Sequence, residues 1–536
     1  MTGYRQPGGG SAGLATFELL LILIAAALTL AAFADRLRIP QAVALVCGGM
    51  ALAFVPGIGR LQLEPELALA LFLPPLLQAS AYRTDWPAFR FNLRPILLLA
   101  VGLVFFTAAA VAVVAKMMVP ALPWWAAVAL GAIVAPPDAV AAAAVLKQVK
   151  LPRRIVTVLE GESLINDASS LVLYRLAVTA TLAGTFSVGA GMLQFVLSAV
   201  GGLVAGWLVA RIAMLVFRVL EDTLFDITAG LLAGFIAYFA AEQVHASGVL
   251  AAVACGLVLG RQQHAEFTGE SRLAQAAVWR FVEFILTAVI FMLIGLQLRD
   301  IVARLQGRDA GELALLGAAV AATLIVSRFV WIFPASWLPR RLFPKLAERD
   351  PMPPVAHMTV LSWAGMRGVV SLAAALALPT AFPQRDIIVF VAFCAIFVTL
   401  VLQGTTLRPL IGWLGIKADE DPGPALAEAR ASLAGAALGA VRDHADTQGA
   451  GGEVDAAKEL VEELSTHAAR VGADAEDPDT EHFAAQQRLR LVAIEAARDR
   501  LNEQTDEIDP EAHRTLAEEL DLHEQQVRRA LGEGGI

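Results

Sequence analysis

Between Glu160 and Asp167 the chain reads Glu-Gly-Glu-Ser-Leu-Ile-Asn-Asp, three carboxylates inside an apolar stretch long enough to cross a bilayer. The apolar run before it carries Pro136-Pro137-Asp138. An ionisable group at mid-bilayer depth costs roughly 2.5–3.5 kcal/mol on insertion scales. Two such sites on consecutive runs are hard to explain by packing and point to a path for a cation or a proton. Ser163 and Asp167 are four apart and share a helical face, as do Ser163 and Asn166. Counted from Arg153 at 1.5 Å per residue, Asp167 lies about 21 Å along its helix, near the midplane. A hydroxyl, two carboxylates and freed backbone carbonyls make an all-oxygen set suited to a hard monovalent ion. Nothing here offers the Cys or His ligands of a transition-metal site.

A broken helix must position these groups. Pro136 and Pro137 remove two backbone donors, so the carbonyls near Ala132 and Ile133 lose their helical partners, and Asp138 sits at the break. In lipid such a break is tolerated only where protein or a water-filled cavity surrounds it; a plain proline kink is the competing reading. Gly365-Met366-Arg367-Gly368 interrupts a second apolar run. Windows of about 20 residues give thirteen apolar segments, near 14–33, 39–59, 66–82, 93–119, 122–149, 153–180, 190–218, 224–243, 247–260, 277–298, 311–335, 355–378 and 386–413. The breaks fall in the fifth and twelfth. That spacing is expected of two inverted six-helix repeats joined by a linker helix, with two broken crossing helices at a transporter's binding site. Only the positions of the breaks carry the repeat.

An external N-terminus and a cytoplasmic tail place 20 Lys/Arg of the membrane region inside, 7 outside and 3 within spans, in line with the positive-inside bias. Arg175 is near an outer helix end and is expected to snorkel. Arg328 and Arg367 lie deeper and need partners, with Glu162 the obvious candidate for one of them.

The composition agrees with this division. The 536 residues are 57% hydrophobic and 17% charged, with a mean hydropathy of +0.63, which marks an all-α polytopic membrane protein. Up to Lys417 there are 30 Lys/Arg against 22 Asp/Glu; from Ala418 onward there are 11 against 28. A short extension (1–13), a basic membrane domain (14–417) and an acidic, soluble helical C-terminal domain (418–536) follow, with no nucleic-acid partner implied. Cys47, Cys255 and Cys394 lack partner spacing and read as small buried thiols. The apolar stretch from Leu14 to Phe33 is too long for a cleavable leader.

Several motifs now bear on one family. Leu73-Pro-Pro-Leu-Leu77, Gly131-Ala-Ile-Val-Ala-Pro-Pro-Asp138-Ala-Val-Ala and Glu160-Gly-Glu-Ser-Leu-Ile-Asn-Asp167 closely resemble the bacterial sodium/proton antiporters of the first cation:proton antiporter family. Ser247-Gly-Val-Leu-Ala, Leu293-Ile-Gly-Leu-Gln-Leu298 and Gly365-Met-Arg-Gly368 continue the match in the same order, over residues 15–415. The resemblance implies a cation and proton carrier, Asp167, joined by Asp138 and Ser163 in holding Na+. It implies Glu162 held by a buried Arg, Arg328, and Arg367 stabilising the second broken helix. It also implies a homodimer in the bacterial inner membrane. Many relatives carry Thr or Ser immediately before the unwound Asp, whereas this chain has Pro137, which offers a backbone carbonyl and no hydroxyl.

Asp167 must be ionised to hold a cation and neutral to carry a proton, and Asn166 beside it adds no second charge. One carboxylate alternating between one proton and one monovalent cation moves no net charge, so electroneutral one-for-one antiport by alternating access is expected, without cofactor or enzymatic activity. Potassium, or lithium, in place of sodium is the main alternative; a cation channel and an intramembrane hydrolase rank lower. The first, third, seventh and eighth spans suit lipid contact and close packing. Glu242, His245, Asp226, Glu283 and Gln78 are funnel or packing candidates, and His357 is a weak candidate pH sensor. In the tail, Ala425–Val441 and Ala456–Val471 have helical composition. Ala484–Glu503 and Pro510–Leu531 are expected to pair as a hairpin through Leu489, Leu491, Ile494, Leu501, Leu516, Leu520 and Val527.

Overall fold

The computed structural model describes residues 9–37, 39–55, 65–138, 141–142, 151–184, 187–220, 222–267, 269–305, 308–416, 478–503 and 510–531, with residues 432, 436, 439 and 440. Two compact units divide the chain, Met1–Ala418 and Asp419–Ile536. Every regular element among the described residues is helical.

In the first unit these are α1 (Gly9–Leu37), α2 (Gln41–Ala53), α3 (Pro65–Arg83), α4 (Trp86–Phe91), α5 (Leu93–Met118) and α6 (Trp124–Val134). The motif helix α7 (Arg153–Ala183) is followed by α8 (Val188–Leu220), α9 (Thr223–Gln243), α10 (Gly248–Glu266) and α11 (Gly269–Leu296). Then come α12 (Leu298–Arg304), α13 (Ala310–Leu342), α14 (Pro344–Arg349), α15 (Val355–Trp363), α16 (Val369–Leu376) and α17 (Arg385–Trp413). Each of the thirteen apolar segments is helical over most of its described part, with the fifth and twelfth interrupted; residues 56–59 and 143–149 of the second and fifth lie outside the described residues. Among the described residues, six helices are long and apolar enough to cross a membrane: α5, α8, α9, α13, α17 and the run Ser271–Arg304.

Helix starts follow local chemistry. Prolines 40, 123, 152 and 354 precede α2, α6, α7 and α15, where a missing N–H costs nothing. Asp222, Ser247 and Asp309 cap α9, α10 and α13 through side-chain oxygens that accept backbone N–H groups. The two sharpest interruptions are elsewhere: α6 ends at Val134, and α15 and α16 are separated by extended residues around Arg367.

Beyond its exposed first residue, Trp124, the short helix α6 is buried nearly all round from Ala126 to Val134, as its Ala/Val/Leu/Ile/Gly surface requires. It packs between α5 and α7 and touches α16 and α17. Gly131 faces the backbone of Ala108 so closely that a Cβ would collide with it. One large core surrounds α6; a second joins Ala79 and Tyr82 of α3 to α8, α9, α10 and α11. Helix α3 therefore belongs to both bodies.

Side-chain exposure separates the lipid-contact candidates. Helix α8 exposes Met192, Leu193, Leu197 and Ile212, and α9 exposes Leu232, Ile236 and Phe239. Helix α3 is mainly a packing helix: Phe72, Leu73 and Leu77 are buried, while Leu71 is exposed. Cys47 also departs, being exposed, whereas Cys255 is buried and Cys394 intermediate.

In the second unit, α18 (Pro478–Glu503) and α19 (Pro510–Ala530) pack together. Arg498 meets Asp521 and Glu524, each at 2.7 Å. Leu501 and Val527 are buried between the helices, but Leu489 is 69% exposed and Leu516 is exposed as well. Leu489 and Leu491 are two apart, about 200° around the helix, so they cannot share one face. The helical stretches read at 425–441 and 456–471 lie almost entirely outside the described residues.

Close packing of α2 on α11 supplies a test. A Cβ on Gly49 would meet the Met292 carbonyl, so Gly49→Val is expected to destabilise the purified protein by about 1–3 kcal/mol or more, read as a lower melting temperature in detergent.

Candidate functional site

Helix α7 presents one stripe, Ser163, Asn166, Asp167 and Ser170, towards the broken end of α6 (positions i, i+3, i+4 and i+7). Two members of that stripe satisfy backbone carbonyls at the break. The Ser170 hydroxyl donates to Ala132 O at 2.6 Å, the carbonyl that would have bonded the missing Pro136 N–H. Asn166 Nδ2 donates to Pro137 O at 3.0 Å.

The second interruption completes the set. Arg367 is fully buried; its Nε donates to Val134 O at 2.9 Å and its Nη2 to Ala135 O at 3.3 Å, while Nη1 donates to Gly365 O. Its own N–H is held by Thr399 Oγ1 at 3.1 Å. In return the Asp138 N–H donates to Met366 O at 2.7 Å. The two breaks thus meet and bond across each other. Arg367, expected to stabilise the second broken helix, spends its hydrogen bonds on carbonyls of both interrupted helices. A negative helix end is where a guanidinium is most favourable.

Gly368 is required by this meeting. A Cβ there would coincide with the Asp138 carboxylate, so the carboxylate rests directly against the second break. Gly365 likewise leaves room for both Arg328 and Arg367.

Behind the stripe, Glu162 and Arg328 form a fork-to-fork pair at 2.6 and 3.0 Å. Each side chain is 1% exposed. Arg328 Nη2 also donates to Leu361 O at 2.8 Å, so the pair ties α7 and α13 to α15.

In front of the stripe lies a cavity of about 60 Å³, room for a few water-sized groups. Asp138, Ser163, Asp167, Pro136 and Pro137 line it, with apolar walls from Phe72, Leu73 and Leu77 of α3 and Ile290 and Phe291 of α11. Asp167 is 6% exposed. The lining also includes Ser371 and Thr287, which sequence reading missed. Their hydroxyl oxygens are buried and make no hydrogen bond within the protein, as is true of Asn166 Oδ1. Ser371 lies four residues beyond Arg367, on the first turn of α16, which is the one signal that could have flagged it; nothing in the sequence around Thr287 distinguishes it.

The remaining candidates find partners away from the cavity. Arg175 Nη2 donates to both carboxylate oxygens of Glu242 at 2.9 Å in place of reaching alone to the interface. Glu283 pairs with Arg83 at 2.7 Å. Asp226 accepts from the Ser271 hydroxyl, and Gln78 donates to Gly230 O. His245 adopts a positive φ of 56° in the turn before α10. Among the described residues no His/Cys/Asp/Glu group is arranged to hold a metal ion.

Comparison with known proteins bears on this geometry. Residues 22–413 match the family profile described as sodium/hydrogen exchanger, transmembrane. The chain is 34% identical over 529 residues to an uncharacterised Na+/H+ exchanger of Mycobacterium tuberculosis, covering 95% of each protein. It is 33% identical over 410 residues to a sodium, potassium, lithium and rubidium/H+ antiporter of Bacillus subtilis, covering 73% of this chain and 60% of that one. Among solved structures, the sodium proton antiporter MjNhaP1 of Methanocaldococcus jannaschii at pH 8 is similar in fold, with a TM-score of 0.55 at 17% identity over 73% of this chain and 99% of that one.

The buried pair yields a stability test. Arg328→Met leaves Glu162 uncompensated and is expected to cost about 3–5 kcal/mol. Adding Glu162→Gln to it should recover most of that loss in thermal unfolding of the purified protein.

Proposed function

The chain belongs to the transmembrane sodium/hydrogen exchanger family, and from that premise we propose an antiporter exchanging protons for Na+, with Asp167 as the carboxylate that both ions share. One observation carries the reading: Asp138 and Asp167, from a broken helix and its neighbour, line the same small, apolar-walled cavity.

A carboxylate this buried cannot stay ionised without a compensating positive charge. The two nearby arginines are committed elsewhere, Arg328 to Glu162 and Arg367 to backbone carbonyls. Asp167 therefore holds either a proton or a cation. Each full cycle trades one for the other, and the exchange is electroneutral. In the cation-bound form Asp138, Asp167 and the Ser163 hydroxyl supply ligands. The hydroxyls of Ser371 and Thr287 replace the one that Pro137 cannot offer. Asn166 acts by holding the Pro137 carbonyl, and Glu162 with Arg328 braces the motif helix.

Alternating access follows if the body tied together by the crossing moves against the α8–α10 body, with α3 between them. Thirteen spans in two inverted halves, an external N-terminus and a cytoplasmic tail fit this reading. Arg94, Arg154 and Arg340, from three regions assigned to the cytoplasmic side, converge on Asp350, while the Arg175–Glu242 pair joins two ends assigned to the outside. A homodimer in the bacterial inner membrane belongs to the same proposal. Potassium is the second reading, favoured by the absence of a hydroxyl at Pro137 and by the range of alkali ions named for the Bacillus relative.

Everted vesicles offered Na+, Li+ and K+ separately, with proton flux recorded, test the function. Asp167→Asn is expected to abolish exchange while melting as the wild type does; wild-type exchange in that variant removes Asp167 from the role. A membrane potential imposed on reconstituted protein should leave the rate unchanged, and acceleration would refute one-for-one exchange. Ser371→Ala should raise the cation concentration for half-maximal exchange about fivefold, the loss of one neutral ligand, with little change in maximal rate.

A further inference from the structure

A second cavity, of about 70 Å³, lies where α7 begins, and the exchange reading makes no use of it. Arg94, Arg154 and Arg340 line one part of it; Leu98, Leu99 and Ile332 line another. From this pairing of charge with apolar depth we propose a binding site for an anionic phospholipid of the phosphatidylglycerol type. The phosphate sits among the arginines and the upper acyl chain lies against the leucines.

The charge balance favours an anion. Asp350 meets Arg154 at 2.6 Å and Arg340 at 2.7 Å, and stands 3.7 Å from Arg94. One carboxylate therefore faces three guanidinium groups, with His357 also in the lining. Arg340 commits each of its three guanidinium nitrogens, to Ser336 O and to the backbone and side chain of Asp350. Arg94 is different: 3.7 Å is too long for a hydrogen bond, so its planar fork of donors is matched to phosphate oxygens. A zwitterionic headgroup would bring its own cation to a site that already carries excess positive charge.

The surroundings favour a lipid over a soluble phosphate. Phe91, Leu93, Leu97, Trp337 and Leu338 flank these lining residues in sequence and are exposed, an apolar surface on helices that contact the membrane. Basic pockets between helix ends are the usual place for acidic headgroups. Free phosphate would gain nothing from the leucines. The widened turn at Leu98–Leu103 shapes the floor; there the Leu98 carbonyl accepts from Trp331 Nε1 at 3.0 Å.

Delipidated full-length protein in neutral detergent, titrated with phosphatidylglycerol, phosphatidylcholine or inorganic phosphate, tests the site by melting temperature and by native mass spectrometry. Phosphatidylglycerol should be retained and should raise the melting temperature; the other two should do neither. Arg94→Gln is expected to weaken retention about tenfold, the loss of one charge-assisted contact, with the lipid-free melting temperature unchanged. Leu98→Trp, which fills the apolar part and keeps every charge, should weaken it comparably and decides the matter if Arg94→Gln fails to fold. Equal retention of phosphatidylcholine, an equal shift from inorganic phosphate alone, or undiminished phosphatidylglycerol binding in Leu98→Trp would overturn the proposal. Proton exchange is not part of the readout, so the site stands or falls separately from the role of Asp167.

Discussion

Backbone polar groups in a dry interior must find partners, and this constraint organises the centre of the molecule. Interrupting two helices strands several carbonyls and amides where lipid-facing water cannot reach. The interruptions satisfy one another: Asp138 N–H bonds Met366 O, and Arg367 reaches back to Val134 O and Ala135 O. Ser170 and Asn166 of α7 take two more carbonyls. The crossing is thereby fixed by hydrogen bonds from three chain segments, and a carboxylate attached to it inherits a defined position.

The Glu162–Arg328 pair has a different task. Buried ion pairs add little net stability compared with apolar replacements, yet losing one partner is severe. Here the pair joins α7, α13 and, through Leu361 O, α15. It also commits the Arg328 charge to Glu162. On the proposed function that segregation matters, since a carrier carboxylate must be left to choose between proton and cation.

Much of this was legible in the chain. Pro136-Pro137-Asp138 announced a break because proline removes donors whatever surrounds it. The spacing of Ser163, Asn166 and Asp167 announced a shared face because helical geometry is local. Charged helix ends meet across the fold, Arg154 with Asp350 and Arg175 with Glu242. The tail hairpin was legible in outline, although Leu489 turns outward, about 120° in helical phase from the buried Leu501, and Leu516 is exposed as well.

Sequence by itself determined the helical elements, the two interruptions and the acidic residues placed beside them, since each depends on propensities and donors within a few residues. Only the tertiary structure decided which distant groups complete the site. Ser371 and Thr287 enter the cavity, Arg367 serves the opposite break, Gly368 makes space for the Asp138 carboxylate, and α3 turns Phe72, Leu73 and Leu77 inward. Those outcomes depend on which helix faces which across hundreds of residues of chain, and no local periodicity encodes that.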